Sequence, residues 1–133
     1  MAKHGGKEQF RKRQIRVDDI KNDRPVDMLF VEAIAAYYTN PVGYEVREVV
    51  ARKIRIPENF GPTPEGLAIM RSDFSQRRKD HESGVPIAVI ERSDGSLWTY
   101  DDVHLIAVYH ELAPIAMVRV VIVGQDLTPV SVA

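Results

Sequence analysis

The sequence predicts an α/β (α+β) domain built on a compact mixed β-sheet with flanking helices, and three observations within residues 84–124 carry that prediction. Pro86 to Glu91 is a short run rich in Val and Ile, Asp94-Gly95 is a tight-turn signal, and Ser96 to Tyr100 resumes an extended pattern, so the stretch reads as a β-hairpin. From Val103 the period changes: Val103, Ile106, Ala107 and Leu112 follow helical spacing, with Asp101 or Asp102 placed to cap the helix start. Met117 to Val123 is then almost entirely apolar, as expected for a strand covered on both faces inside a sheet.

The remaining elements follow in chain order. Gln14 to Ile20 alternates as a short strand that a turn at Asn22-Asp23 and Pro25 would end. Asp27 can cap a helix running to about Tyr38, with Leu29, Phe30, Ala33, Ile34 and Tyr37 on one face, and Asn40-Pro41 with Gly43 break it. Tyr44 to Ile56 reads as helix and then extended chain: Val46, Val49, Val50 and Ile54 fit helical spacing, while β-branched content and Pro57 favour strand at the end. Thr63-Pro64-Glu65 opens a helix with a capping hydroxyl, a proline in the first turn and an early acid. Leu67, Met70 and Phe74 form its apolar stripe, and Gly84 stops it as a left-handed C-terminal residue.

At 133 residues the chain suits one domain with its own core. Residues 1–13 are expected to be a mobile basic arm, 14–128 the domain, and 129–133 a tail. A hydrophobic share of 44% and a charged share of 28% are ordinary for a globular protein. No apolar run approaches the roughly 20 residues that span a bilayer, and the N-terminal residues lack the apolar core of a secretory signal. Cysteine is absent, which excludes disulfides, thiolate nucleophiles and thiolate metal ligands, and a reducing cytoplasm is the expected setting.

Asp101-Asp102-Val103-His104 lies where a strand passes into a helix, a place where backbone N–H groups and the helix dipole favour phosphate. His104 could donate to phosphate or act as general acid or base, and the two carboxylates could hold a divalent cation. The plainer alternative is an Asp cap, a second solvated Asp and a packed histidine. Lys3, Lys7, Arg11, Lys12, Arg13 and Arg16 make the start of the chain basic, suited either to nucleic-acid phosphate or to a solvated terminus. The same two readings apply to Arg77, Arg78 and Lys79. His81 and His110 read as surface or core histidines. Trp98 and Tyr100 alternate on one strand face and read as core, since a base-stacking platform requires exposed aromatics in a basic groove.

Gly84-Val85-Pro86-Ile87, the hairpin, the turn Tyr100 to His104, the helix through Glu111-Leu112 and the strand Val118 to Val123 together resemble the core of the ParB/sulfiredoxin superfamily. In that family a G-x-P-I strand and a hairpin lead to a box such as D-G-x-H-R or G-E-R-R before a helix. Ile15 to Ile20 is similar to its first strand, so the resemblance covers residues 14–21 and 84–124. It implies a compact mixed-sheet fold in which the box holds nucleotide or DNA phosphate. Members include partition proteins that bind CTP, sulfiredoxins that use ATP, and nucleases of plasmid or phage origin.

Carried over by residue, Asp101 matches the acid of the box and His104 its histidine, with Tyr100 and Asp102 completing the turn. The implied cofactor is a nucleotide or a divalent cation, and any catalysis would be nuclease or nucleotide-hydrolase chemistry. Asp102 stands where the family has glycine and Leu105 where it has arginine, which adds repulsion and removes a bidentate phosphate clamp. The sulfiredoxin cysteine is missing, which excludes that chemistry.

Three expectations follow. One is a nucleic-acid- or nucleotide-binding domain, an accessory or regulatory factor of plasmid, phage or mobile-element origin with weak or no catalysis and with the turn 100–104 as its site. Another is a degenerate protein-interaction module working through residues 22–83, expected as a helical insertion. The third, implied by the resemblance, is a metal-dependent ParB-like nuclease. Consistent partners are DNA, a protein docked on 22–83, and a second copy of the chain as a homodimer.

Overall fold

Val118, Val120 and Ile122 alternate with Val121 and Val123 along the ten-residue strand Met117–Asp126 (β6), and all five are buried. Because successive strand side chains point to opposite faces, β6 demands cover on both sides. The computed structural model, which describes residues 10–15, 26–58 and 61–126, supplies it with helices on both faces. In chain order the elements are β1 (Arg13–Ile15), α1 (Val26–Thr39), β2 (Glu45–Val50), a 3-10 turn (Ala51–Lys53), β3 (Ile54–Arg55), α2 (Pro64–Ser83), β4 (Ile87–Arg92), β5 (Leu97–Trp98), α3 (Val103–Leu112) and β6. This is the mixed-sheet α/β architecture that the sequence predicts.

The sheet runs β1-β6-β4-β5-β3, and β2 also pairs with β6. β1 and β4 lie parallel to β6, while β2 is antiparallel to it in unbroken register from Glu45 opposite Ile122 to Val50 opposite Met117. Ile87, Val89, Val120 and Ile122 face α2 and α3, where Phe74, Leu105, Ile106, Val108 and Tyr109 complete one core. Ala88, Ile90, Val121 and Val123 face α1 and meet Phe30, Ala33 and Tyr37. Of the apolar stripes read from the sequence, Phe30, Ala33, Tyr37 and Phe74 are buried, and Ile34, Leu67 and Met70 pack partly buried against the same cores. Thr63 caps α2 by accepting from the Gly66 N–H, with Pro64 following it.

Three expectations need correction. Residues 44–50, read as helical, form β2, because the Val-rich segment finds a full partner strand in β6 and pairing overrides the local spacing. Residues 22–83 are therefore more than a helical insertion, since they contribute β2 and β3 to the sheet. Gly84 has φ −124 and is not left-handed; what excludes a side chain there is space, since a Cβ would lie 2.5 Å from the Asp80 carbonyl oxygen. The hairpin turn does use a left-handed residue, Gly95 at φ 85. The strand expected over residues 14–20 begins at Arg13 and is described to Ile15; residues 16–20, 127–133 and most of the basic arm lie outside the described residues.

The link between β2 and β3 constrains the whole sheet. β2 flanks β6 on one side, and β3 is the margin beyond β4 and β5 on the other. In a flat sheet those strands would stand four spacings apart, about 19 Å, yet four Cα steps from Val50 to Ile54 reach at most about 14 Å. The sheet must curl so that its margins approach. His110 of α3 holds the turn in place, its Nε2–H donating to the carbonyls of Ala51 at 3.1 Å and Ile54 at 2.8 Å. Ala51 N–H and Arg52 N–H donate to Ala116 and Pro114.

If β6 organises both layers, truncating one of its inward side chains weakens the entire fold. Ile122→Ala is expected to cost about 2–5 kcal/mol, read as a lower urea midpoint with a single cooperative transition.

Candidate functional site

The turn from β5 into α3 is built by Thr99, a residue the sequence reading passed over. Its side chain is fully buried: Oγ1 donates to the Ala88 carbonyl at 3.3 Å and accepts from the N–H groups of Asp101 at 3.4 Å and Asp102 at 3.2 Å. A threonine hydroxyl thus takes the local side-chain-to-backbone role expected of the acids. Asp102 occupies the N-cap position, but its side chain makes no capping hydrogen bond. Two of the N–H groups of the turn are satisfied from within.

Each further residue of the turn is held by another element. Tyr100 packs on Phe30 of α1 with ring centroids 3.8 Å apart, and burial pushes its hydroxyl up to about 12. Asp101 accepts a 2.8 Å hydrogen bond from the Tyr38 hydroxyl, also on α1. Burial first, and the Asp101 charge second, raise the Asp102 carboxyl above its ordinary value, with His81 and Arg77 pulling the other way. His104 points at the start of α2, where Nε2 accepts from the Thr63 N–H at 3.1 Å, fixing the proton on Nδ1. Its ring lies so close over Gly66 that a Cβ there would overlap Nε2 and Cδ2. Leu105 is buried in the α2–α3 core, so its position serves packing.

Asp101 and His104 therefore do not converge on a shared space: one faces α1 and the other α2. Among the described residues no group of three or more His, Asp or Glu side chains comes together in metal-ligating geometry. The other candidates are similarly engaged. Arg11 donates from Nη1 to the carbonyls of Asn40 and Val42 and stacks over Tyr44 at 5.0 Å, while Lys12 pairs with Glu91 at 3.6 Å, so the end of the expected free arm is part of the fold. Arg13 begins β1. Arg78 lies over Phe74 and Tyr109, Lys79 has a partner of its own, and Arg77 is exposed. His81 donates from Nδ1 to the Val85 carbonyl at 2.7 Å.

An open cationic groove lies elsewhere, where the sheet margins approach. Arg47, Val49, Arg52, Lys53, Arg55 and the hairpin turn Asp94 to Leu97 enclose about 660 Å³. Arg47 is compensated by Glu45 and by Glu91 at 3.3 Å. Arg52, Lys53 and Arg55 are exposed, and among the described residues none makes an ion pair. The sequence signal was the alternation Arg-Lys-Ile-Arg-Ile over 52–56, in which Ile54 is buried and the cations are exposed; reading the preceding segment as helix concealed it.

No protein-family model matches the chain. No curated protein matches it either. Among solved structures it is similar to sulfiredoxin from Arabidopsis thaliana, at 21% identity over 62% of this chain and 88% of that one, with a TM-score of 0.45. That likeness concerns fold and carries nothing about activity.

Three substitutions test how the turn is tied into the fold. Glycine-to-alanine changes inside helices ordinarily gain about 0.5–1 kcal/mol, but Gly66→Ala is expected to lose about 1–3 kcal/mol by overpacking against His104. In a His104→Ala background the same change becomes stabilising, a reversal read from a double-mutant denaturation cycle. For Asp102 the raised folded-state value means that wild type loses stability as pH rises out of the carboxylate range. Asp102→Asn is therefore expected to match wild type near pH 3 and to exceed it at pH 7 in thermal melts; the opposite trend would contradict a buried carboxyl held against its charge.

Proposed function

We propose that this chain is a nucleic-acid-binding module that contacts phosphate through the groove of Arg47, Arg52, Lys53 and Arg55, and that the turn 100–104 serves as a structural joint without catalytic work. The observation that carries this reading is the set of three exposed cations from one short segment, none in an ion pair among the described residues, that line a groove with a single carboxylate, Asp94. A cleft lined by one sign of charge focuses potential and raises the local concentration of a polyanion. The backbone of the segment is fixed from behind by His110, so the chain that carries these charges needs no ordering on binding, although the exposed side chains do.

The reading also accounts for the turn. Its acids carry like charge side by side, Tyr38 occupies one and burial opposes ionisation of the other, which is unfavourable for an incoming phosphate. Of the expected site residues, Tyr100, Asp101 and His104 thus act as ties from the turn to α1 and α2, and the basic segment takes the ligand. Arg77 adds positive charge outside the groove.

Anisotropy titrations of a labelled oligonucleotide between about 50 and 200 mM salt test the proposal. Wild type is expected to bind with a steep negative salt slope. Arg52→Ala with Lys53→Ala lowers that slope by about 1.5 and the low-salt affinity by about tenfold. Binding that persists with an unchanged slope in the double variant, or no binding by wild type at low salt, overturns the assignment.

A further inference from the structure

Next in sequence to Leu97, which lines the groove, stands the chain's one tryptophan, Trp98. Trp98 of β5 stands directly opposite Arg55 of β3 in the sheet register, and Ile90 of β4 is its partner on the other side, which puts Arg92, two residues further along, on the same face. The Arg55 guanidinium carbon lies 5.8 Å and the Arg92 guanidinium carbon 5.0 Å from the Trp98 ring centroid. The indole N–H donates to Ser96 Oγ at 2.8 Å, and Ser96 itself lines the groove. Arg55 belongs to both sets, lining the groove and approaching the indole.

These contacts orient the layer. Ser96 fixes the indole, and Arg92 is drawn toward Asp126 at 3.7 Å, an ion-pair separation at which its buried Nε makes no hydrogen bond. The indole is only partly buried, and Arg55 at the edge strand is exposed. Guanidinium groups lying over an indole, with the exposed Arg55 as the solvent-side member and a cationic groove lined by the same residue, offer a planar surface on which an unpaired nucleobase can stack. In a duplex the base faces are covered by their neighbours, so such a layer would meet only backbone.

We infer that the ligand is single-stranded nucleic acid, with phosphates in the groove of Arg52 and Lys53 and an adjacent base stacked on the layer formed by Arg55, Trp98 and Arg92. This rests on the groove reading above and specifies its substrate class. Of the two aromatics that alternate along this strand, Tyr100 is committed to Phe30 and Trp98 alone lies beside the cations. The layer is also readable directly, since every change in tryptophan emission reports on this position.

The test titrates the full chain, at constant low salt, with an oligothymidylate, a duplex of equal length and linear polyphosphate, following both affinity and tryptophan emission. All three are expected to bind. The oligothymidylate should bind at least about tenfold more tightly than the duplex and quench the emission, in line with base–aromatic stacking, while polyphosphate leaves the emission unchanged. Trp98→Leu should remove the single-strand preference and keep polyphosphate affinity. Arg92→Lys, which preserves charge and the Asp126 pair but not the planar group, should reduce the preference severalfold if Trp98→Leu fails to fold. Equal affinity for single strand and duplex with unchanged emission overturns the stacking layer and leaves the phosphate groove standing. Failure of all three polyanions to bind overturns both.

Discussion

Burial of β6 on both faces is the constraint from which the rest of the molecule follows. A strand with Val120 and Ile122 on one side and Val121 and Val123 on the other cannot sit at a surface. It requires α2 and α3 on one face and α1 on the other, and those helices must reach it past the turn that follows β5. The turn is therefore tied to both helix layers as a by-product of covering β6, although Asp101 itself stays exposed. Phe30, which helps bury Val121 and Val123, also receives Tyr100, and the helix that carries Phe74 into the opposite core begins at the Thr63 N–H that His104 accepts.

Those ties engage the polar groups of the turn. Groups that would face an anion at an open strand-to-helix turn are joined here to α1 and α2. Among the described residues, the exposed cations Arg52, Lys53 and Arg55, none of them in an ion pair, stand together where the sheet margins approach. Long-range attraction to a polyanion depends on such charges staying hydrated until contact, which suits Arg52 and Lys53 better than Arg11, Lys12 or Arg78, whose cationic groups already lie on carbonyls, a carboxylate or aromatic rings.

The fold was largely legible because its strongest signals are local. The Asp94-Gly95 turn, the Thr63-Pro64 helix opening and the apolar run 117–123 each state their structure within a few residues. β2 was not, since Val46, Val49 and Val50 satisfy a helical spacing as well as a strand, and only β6, some seventy residues later, decides between them. The turn 100–104 was legible as a place and not as a state. Nothing near Asp101 in sequence says that Tyr38 will meet it, or that Gly66 leaves room for His104. The groove was hidden for the same reason as β2: the exposure of Arg52, Lys53 and Arg55 depends on which way the segment runs.

The three-residue turn between β2 and β3 acts as a covalent gauge. Because the curl of the sheet is imposed by the length of a chain segment, the separation of the groove walls is set by a residue count and not by the softness of side-chain contacts. Cores can repack by fractions of an ångström as residues change, yet a tether of fixed length keeps its two ends in register throughout. The geometry presented to a ligand is thereby insulated from drift in the core, and an insertion or deletion at Ala51–Lys53 would alter it where many interior substitutions would not.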